Sequence, residues 1–413
     1  MGRAKEQYLE DHESGYYNST DYICEKHFAD TDVIDFIKKN GSESNRCSFC
    51  EAQGDDNDIQ ITVPFDDLMG IIVKCIRRSF DDPGNGLSYD SREGGYLGET
   101  FDTIELLNDV ICFEADGDII ETIARSIIQE QWTWKEFYGE SISQELTNSW
   151  VVFSELVKYK VRYLFHEVEN TNSITREIDK PYRILNSIGK YIEKLNLFSV
   201  FPYQQRNLFN TGTVLFRARQ HKNRSDVKSC EDICSPPSEF AGSNRFSAEG
   251  VSLFYGAEDE STAIEEIIDR TKAKEYISVA QFLTTAPLNL IDLRNAKTVG
   301  FFNYNRRDLY EPSKFLSSFI AQISMRHEDS NVERIEFVPS QIVTEYFRYI
   351  LGSTNDKPIH GIVYKSTLFK NKNCYVVFAD NSQCQEEGSA YEDTLLAMKK
   401  GSIVTKKISE LLG

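Results

Sequence analysis

The sequence has no run close to the roughly 18 apolar residues that a membrane-spanning helix requires. Apolar stretches such as Met69–Ile76 are broken by charges, here by Lys74. Met1–Gly15 is polar and charged and lacks the apolar core of a secretory signal. Glu6 stands where an N-myristoylation signal needs Ser or Thr. The nine cysteines are odd in number and mostly scattered, which fits reduced thiols or metal ligands better than a disulfide framework. Positive charge is also short: 46 Lys+Arg face 65 Asp+Glu, a net charge of −19. Such a surface repels phosphate backbones and anionic lipids at long range. These deficits together predict a cytoplasmic chain with no membrane association and no general affinity for nucleic acid. A few inward-pointing arginines would still suffice to hold an anionic nucleotide in a pocket.

The 413 residues are 40% hydrophobic and 12% aromatic, enough for two or three globular domains. No internal repeat or low-complexity segment is found, and three regions differ in character. Residues 1–60 are acidic and polar and carry a Cys/His cluster. Residues 61–200 read as helical: Ile104, Leu107, Val110 and Ile111 recur at helical spacing, as do Ile119, Ile120, Ile123, Ile127 and Ile128. Trp150–Phe165 and the series Ile184, Ile188, Ile192, Leu195 predict two more helices, with a polar linker over Asn170–Arg176. The glycine-rich stretch Asp81–Glu99 predicts a long loop or a partner-facing lid, with Arg92 and Tyr96 as its gripping side chains or simply as solvated ones. Residues 205–413 mix strands and helices, so the expected class is α+β. Its expected strands are Thr213–Arg219, Val251–Tyr255, Tyr276–Thr284, Leu288–Leu293 and a hairpin of His360–Ser366 with Asn373–Ala379. Its expected helices are Ser261–Arg270, capped by Ser261 or Thr262, Ser313–Met325 and Gln341–Leu351.

Cys24 and His27 form a C-x2-H pair, and nineteen residues later Cys47 and Cys50 form a C-x2-C pair. Ligands two residues apart can face one ion from a single turn, and two such pairs complete a tetrahedral zinc shell with no open position. The ion would be structural and would stabilise a small acidic element with little core of its own, a zinc-ribbon-like unit. The alternative is four unrelated residues with buried thiols. Cys230 and Cys234 have no second pair nearby and receive no metal role.

Three motifs follow in order in the C-terminal region: Leu215-Phe-Arg217; Asn244-Arg-Phe246 with a Gly-containing turn, a strand ending in Tyr255 and a helix bearing Glu265-Glu266; and Gly361-Ile-Val-Tyr-Lys-Ser366. The ordered set, from about Thr211 to Phe378, resembles a RES domain. The C-x2-H…C-x2-C pattern with Ser91-Arg-Glu-Gly-Gly-Tyr96 resembles, more weakly, the N-terminal domain that precedes RES and HEPN domains in some bacterial proteins. The first resemblance implies an ADP-ribosyltransferase-like fold, a twisted, split β-structure whose cleft holds NAD⁺. It also implies NAD⁺ hydrolysis, NAD⁺ phosphorolysis or ADP-ribosylation as the activity, and a toxin restrained by an antitoxin or inhibitory protein. A homodimer is a further possibility that the residues do not decide.

Breaking the nicotinamide–ribose bond develops positive charge on the ribose. Arg217 is the expected partner of the pyrophosphate, because a guanidinium offers a fork to phosphate. Tyr255 is expected to stack on nicotinamide. Glu266 is expected to face the developing charge and to accept a hydrogen bond from a ribose hydroxyl. Ser366 would bond nicotinamide or ribose, and Arg245 would bind phosphate or anchor its loop. Plainer readings stand beside these. Arg219 shares a strand face with Arg217 and can take its place. Glu265 and Glu266 point about 100° apart, and near a helix N-terminus both would only complement the dipole. Tyr255 reads equally as core and Ser366 as the start of a turn. The segment Pro339-Ser-Gln341 also resembles the family, and Gln341 reads equally as a first-turn helix residue. Arg162 and His166 approximate the Arg-x4-6-His motif of HEPN ribonucleases, but only three residues separate them. Besides a NAD⁺-consuming enzyme, a transferase acting on a macromolecule and a non-catalytic NAD⁺-sensing module remain as rivals.

Overall fold

The computed structural model describes residues 3–43, 45–50, 61–136, 140–163, 183–201, 214–268, 274–294, 296–325, 334–354, 358–366, 368–369, 371–389 and 393–411. The chain divides into two compact units. One comprises Met1–Ser143 and Thr298–Lys314, the other Gln144–Lys297 and Phe315–Gly413.

The first unit is built around the helix Phe65–Ser79. It buries Phe65, Leu68, Met69, Ile72, Val73 and Ile76, an i, i+3, i+4 stripe, and places Asp66 and Asp67 in its first turn and Arg77 and Arg78 in its last, matching the helix dipole. The helix Gly117–Ser126 adds Ile119, Ile120 and Ile123 to the same core. The inserted segment delivers Phe301 and Phe302 to that core. The Arg307 guanidinium lies 4.0 Å from the Phe301 ring and 4.5 Å from that of Tyr310, and donates to Ser79 Oγ at 2.6 Å. The spacing predicted around Ile104 is altered by a π-helical turn, Leu106–Val110, after the short helix Thr103–Glu105. The wider turn shifts the stripe, so that Leu106 and Leu107 are buried and Ile104 faces solvent. Asp81–Glu99 is not wholly irregular: Tyr89–Asp90 and Gly95–Tyr96 pair as a small hairpin, Gly94 supplies a φ of +72°, and the two tyrosine rings meet edge to face at 5.2 Å.

The second unit is α+β. Its sheet has ten strands among the described residues, in the order Cys384–Glu386, Leu396–Met398, Tyr276–Thr284, Leu215–His221, Phe254–Ala257, Asn373–Val377, Gly361–Lys365, Leu288–Asp292, Phe198–Phe201, with Val404–Lys407 also on Tyr276–Thr284. The central junction is thin. Leu215–His221 meets Tyr276–Thr284 along its whole length, but Phe254–Ala257 through the single pair Ala257↔Phe216. The sheet is therefore almost split in two at this point. Gly256 sits at the split, where a Cβ would come within 3.3 Å of the Phe216 carbonyl. Gly361 likewise permits close strand packing, because a Cβ there would meet the Val376 carbonyl at 2.2 Å.

Helices cover the sheet. Ile142–Tyr159 buries Trp150, Phe153 and Val157, and Arg183–Lys194 buries Ile184, Ile188 and Ile192. The end of the helix predicted over Trp150–Phe165, His166 and the linker Asn170–Arg176 lie outside the described residues. No helix among the described residues is long and apolar enough to cross a membrane.

Candidate functional site

The cleft opens where the sheet splits. One lip is formed by Phe216, Arg217 and Ala218, the other by Tyr255, Gly256 and Ala257. Asn244 and Ser247 come from the preceding loop, and Glu266 from the helix that follows. The free volume is about 230 Å³. That is below the roughly 300–1,000 Å³ of whole small-molecule sites.

Arg217 and Glu266 are the two charged residues of this lining. Arg217 Nε donates to the Ile233 carbonyl at 2.7 Å and one Nη to the Tyr255 carbonyl at 2.8 Å, while its guanidinium lies 5.2 Å from the Phe254 ring. Among the described residues it meets no carboxylate. Burial pulls its pKa below the usual arginine value, but an arginine keeps its charge. Two of its five N–H groups are thus used in locking it, and three remain. Arg219, two residues on, is exposed and donates to the Asp232 carbonyl.

Glu266 lies near the end of the helix Glu260–Ile267. A carboxylate there opposes the helix dipole, so the dipole-complementing role open to a glutamate in the first turn does not apply. The helix is capped instead by Asp259, whose carboxylate accepts from the Thr262 N–H at 2.9 Å and from the Ser261 and Thr262 hydroxyls. A carboxylate offers more acceptor positions than either hydroxyl expected as the cap, and takes both as donors. Glu266 is held by Ser366, whose hydroxyl donates to its Oε1 at 2.6 Å. Ser366 Oγ also accepts the N–H groups of Leu368 and Phe369, so it both starts a turn and fixes the carboxylate.

Tyr255 is half-buried, and its hydroxyl bonds Ser247 Oγ at 2.9 Å. Burial pushes its phenol up to about 12. Tyr364 and Cys374, two further titratable residues of the lining, receive no role from the sequence. Burial raises the Tyr364 phenol, and burial and then the Glu266 charge raise the Cys374 thiol. Both stay neutral beside Glu266. No local spacing announces them, since each is an ordinary buried strand position.

Arg245 lies outside the cleft lining. Its guanidinium sits 6.0 Å from the rings of Phe337 and Tyr364 and donates to the Met325 carbonyl at 2.9 Å. Its backbone carbonyl accepts from Ser340 Oγ at 2.6 Å. This arrangement anchors the loop.

Cys24, His27, Cys47 and Cys50 come together in the first unit, with ligand atoms all within 4.8 Å of one another. Cys24 Sγ and Cys50 Sγ are 3.6 Å apart, and His27 Nε2 lies 3.4 Å from the sulfurs of both Cys47 and Cys50. Bond lengths of about 2.3 Å to sulfur and 2.0 Å to nitrogen give tetrahedral edges of roughly 3.5–3.8 Å, so the cluster can hold a metal ion. The Cys47 thiol is pulled down by the hydrogen bond from Cys24, which is itself pushed up. His27 Nδ1 pairs with Asp116 Oδ2 at 3.0 Å. That contact fixes the ring with Nε2 toward the sulfurs, a carboxylate–histidine arrangement usual around metals. Asp116 is 89 residues from His27, so sequence spacing gave no sign of it.

The second unit thus presents a nearly split sheet with a half-buried arginine on one lip and a hydroxyl-braced glutamate beside it. Residues 214–395 match the RES domain and residues 39–171 match HEPN/RES N-terminal domain 1. The chain carries matches to these two domains in this order, the N-terminal domain followed by the RES domain. Comparison with curated proteins and with solved structures gives no match. RES domains are known as NAD-related toxin domains, so the match supports a protein of that general class that acts on NAD⁺.

Proposed function

We propose that this chain cleaves the bond between nicotinamide and ribose in NAD⁺. The carrying observation is the convergence of Arg217, Tyr255 and Glu266 on one cleft, with Ser366 fixing the Glu266 carboxylate. The three free N–H groups of Arg217 suit a pyrophosphate oxygen, and Tyr255 offers its ring to the nicotinamide. As the C1′–N bond breaks, its electron pair leaves with nicotinamide, and Glu266 stabilises the positive charge left on the ribose. Water adds at C1′ and releases a proton, giving ADP-ribose. Inorganic phosphate in its place gives the 1-phosphate of ADP-ribose. A protein that consumes NAD⁺ harms the cell that makes it, so an antitoxin or inhibitory partner belongs to the same reading.

The Cys24–His27–Cys47–Cys50 cluster is assigned to structural zinc. Four ligands fill a tetrahedral shell, and Asp116 orients the histidine. The ion holds two chain segments together and takes no part in the cleavage.

Incubating purified protein with NAD⁺, with and without phosphate, and following nicotinamide tests the reading. Release that needs no phosphate means hydrolysis, and release that depends on it means phosphorolysis. Label transferred from NAD⁺ to a protein in a cell extract would point to ADP-ribosylation instead. NAD⁺ that raises the melting temperature but is never cleaved would replace the enzyme with a sensing module.

A further inference from the structure

We infer that Gln341 is a positioning residue for this cleft, acting through the loop that carries Asn244 and Ser247; the inference rests on the reading of the cleft as the NAD⁺ site. Gln341 is buried in the first turn of the helix Val338–Glu345. Its carboxamide Nε2 faces three acceptors on the loop: Ser243 Oγ at 3.0 Å, the Asn244 carbonyl at 2.8 Å and the Ser247 carbonyl at 3.1 Å. The preceding residue adds a fourth tie, from Ser340 Oγ to the Arg245 carbonyl at 2.6 Å. One helical turn therefore satisfies polar backbone of a loop whose own backbone ties include the Asn244–Ser247 bridge and the Gly250 N–H to the Ala241 carbonyl.

The loop in turn shapes the cleft. Asn244 and Ser247 both line it, and the Ser247 hydroxyl holds the Tyr255 hydroxyl at 2.9 Å. Gln341 itself is not part of the lining. A path of direct contacts thus runs from Gln341 through the Ser247 backbone to Tyr255, the side chain assigned to the nicotinamide ring. Glutamine suits the position because it presents donors to a group of acceptors. Glutamate has the same shape, but its ionised carboxylate accepts only and would face three oxygens. Protonation restores one O–H donor.

The test uses the full chain and the variants Gln341→Glu and Gln341→Ala. In both, KM for NAD⁺ rises about tenfold or more, the loss expected for a buried hydrogen-bond network, while kcat changes by less than about threefold. For Gln341→Glu the KM defect shrinks as pH falls and the new carboxyl protonates, while Gln341→Ala shows no such recovery. Hydrogen exchange supplies a readout independent of activity: amides over residues 243–248 exchange faster in both variants, with the sheet strands unchanged. Unaltered exchange in that loop, or a KM equal to that of the parent, overturns the inference. If the parent chain neither binds nor cleaves NAD⁺ yet loop exchange rises in the variants, the reading of the cleft fails while the brace stands.

Discussion

The Ser366 hydroxyl donates a 2.6 Å hydrogen bond to Glu266 Oε1 across a separation of 100 residues. Its lone pairs are taken by the N–H groups of Leu368 and Phe369, so its proton is directed to the carboxylate. The pair fixes one oxygen of Glu266. Replacing Ser366 by alanine frees the carboxylate and removes the turn's acceptor. Turnover of NAD⁺ is expected to drop by about tenfold, with Thr in the same position recovering most of it. Steady-state nicotinamide release for the two variants checks this, and equal rates in Ser366→Ala and the parent would remove the positioning role.

Glu266→Ala removes the charge proposed to stabilise the developing cation. Turnover is expected to drop by roughly 10²–10³-fold, with NAD⁺ still bound, because the interaction strengthens in the transition state. Glu266→Gln separates charge from shape and should be as inactive. Calorimetric binding beside the rate assay distinguishes lost chemistry from lost affinity. Unchanged turnover in Glu266→Ala would sink the assignment.

The four-ligand cluster predicts one zinc per chain by elemental analysis. Asp116→Ala leaves the ligands in place but frees the His27 ring, and metal affinity should fall about 10–100-fold. Cys47→Ser removes a ligand outright and should lower the melting temperature of the first unit. A protein that purifies without metal, with its stability indifferent to a chelator, would falsify the zinc assignment.

Asp259 caps the Glu266 helix. Burial raises its pKa, but bonds from Ser261, the Thr262 N–H and Lys372 outweigh burial and hold it well below the usual carboxylate value. A depressed carboxyl contributes stability that is present above its unfolded pKa of about 3.9 and is lost as pH falls through the folded one. Asp259→Ala is expected to destabilise the fold by about 1 kcal/mol near neutral pH. The difference from the parent should narrow below about pH 4, measured by denaturant melts at several pH values.

Tyr255 gives the opposite sign at the alkaline end. Its phenol is raised by burial to about 12, so its contribution is complete below the unfolded value near 10 and is lost as pH rises from there towards 12. Tyr255→Phe should remove that part of the alkaline loss of stability. The same variant keeps the ring for stacking, so its KM for NAD⁺ should rise less than that of Tyr255→Ala.

Much of this organisation is carried by local pattern. The stripe of Phe65, Leu68, Ile72 and Ile76 makes a helix wherever it is placed, because side chains three and four apart share a face. The pairs Cys24/His27 and Cys47/Cys50 bring ligands together because each pair spans one turn. Arg217, Tyr255 and Glu266 were visible through the order of the motifs that hold them. What local pattern misstates is orientation and end effects: the π-turn at Leu106–Val110 turns Ile104 outward, and Asp259 displaces Ser261 and Thr262 as the cap.

By itself, then, the sequence determined the members of the Cys/His cluster, the helical stripes and the residue types that the proposed NAD⁺ cleavage needs, since these depend on spacings of a few residues. Only the tertiary structure decided that Arg217 rather than Arg219 lines the cleft, and that Arg245 anchors a loop. It also decided that Ser366 braces Glu266, Gln341 braces the loop at Ser247, and Asp116 turns His27. Those contacts join residues up to 100 positions apart. They arise from strand pairing and packing, which periodicity along the chain does not encode.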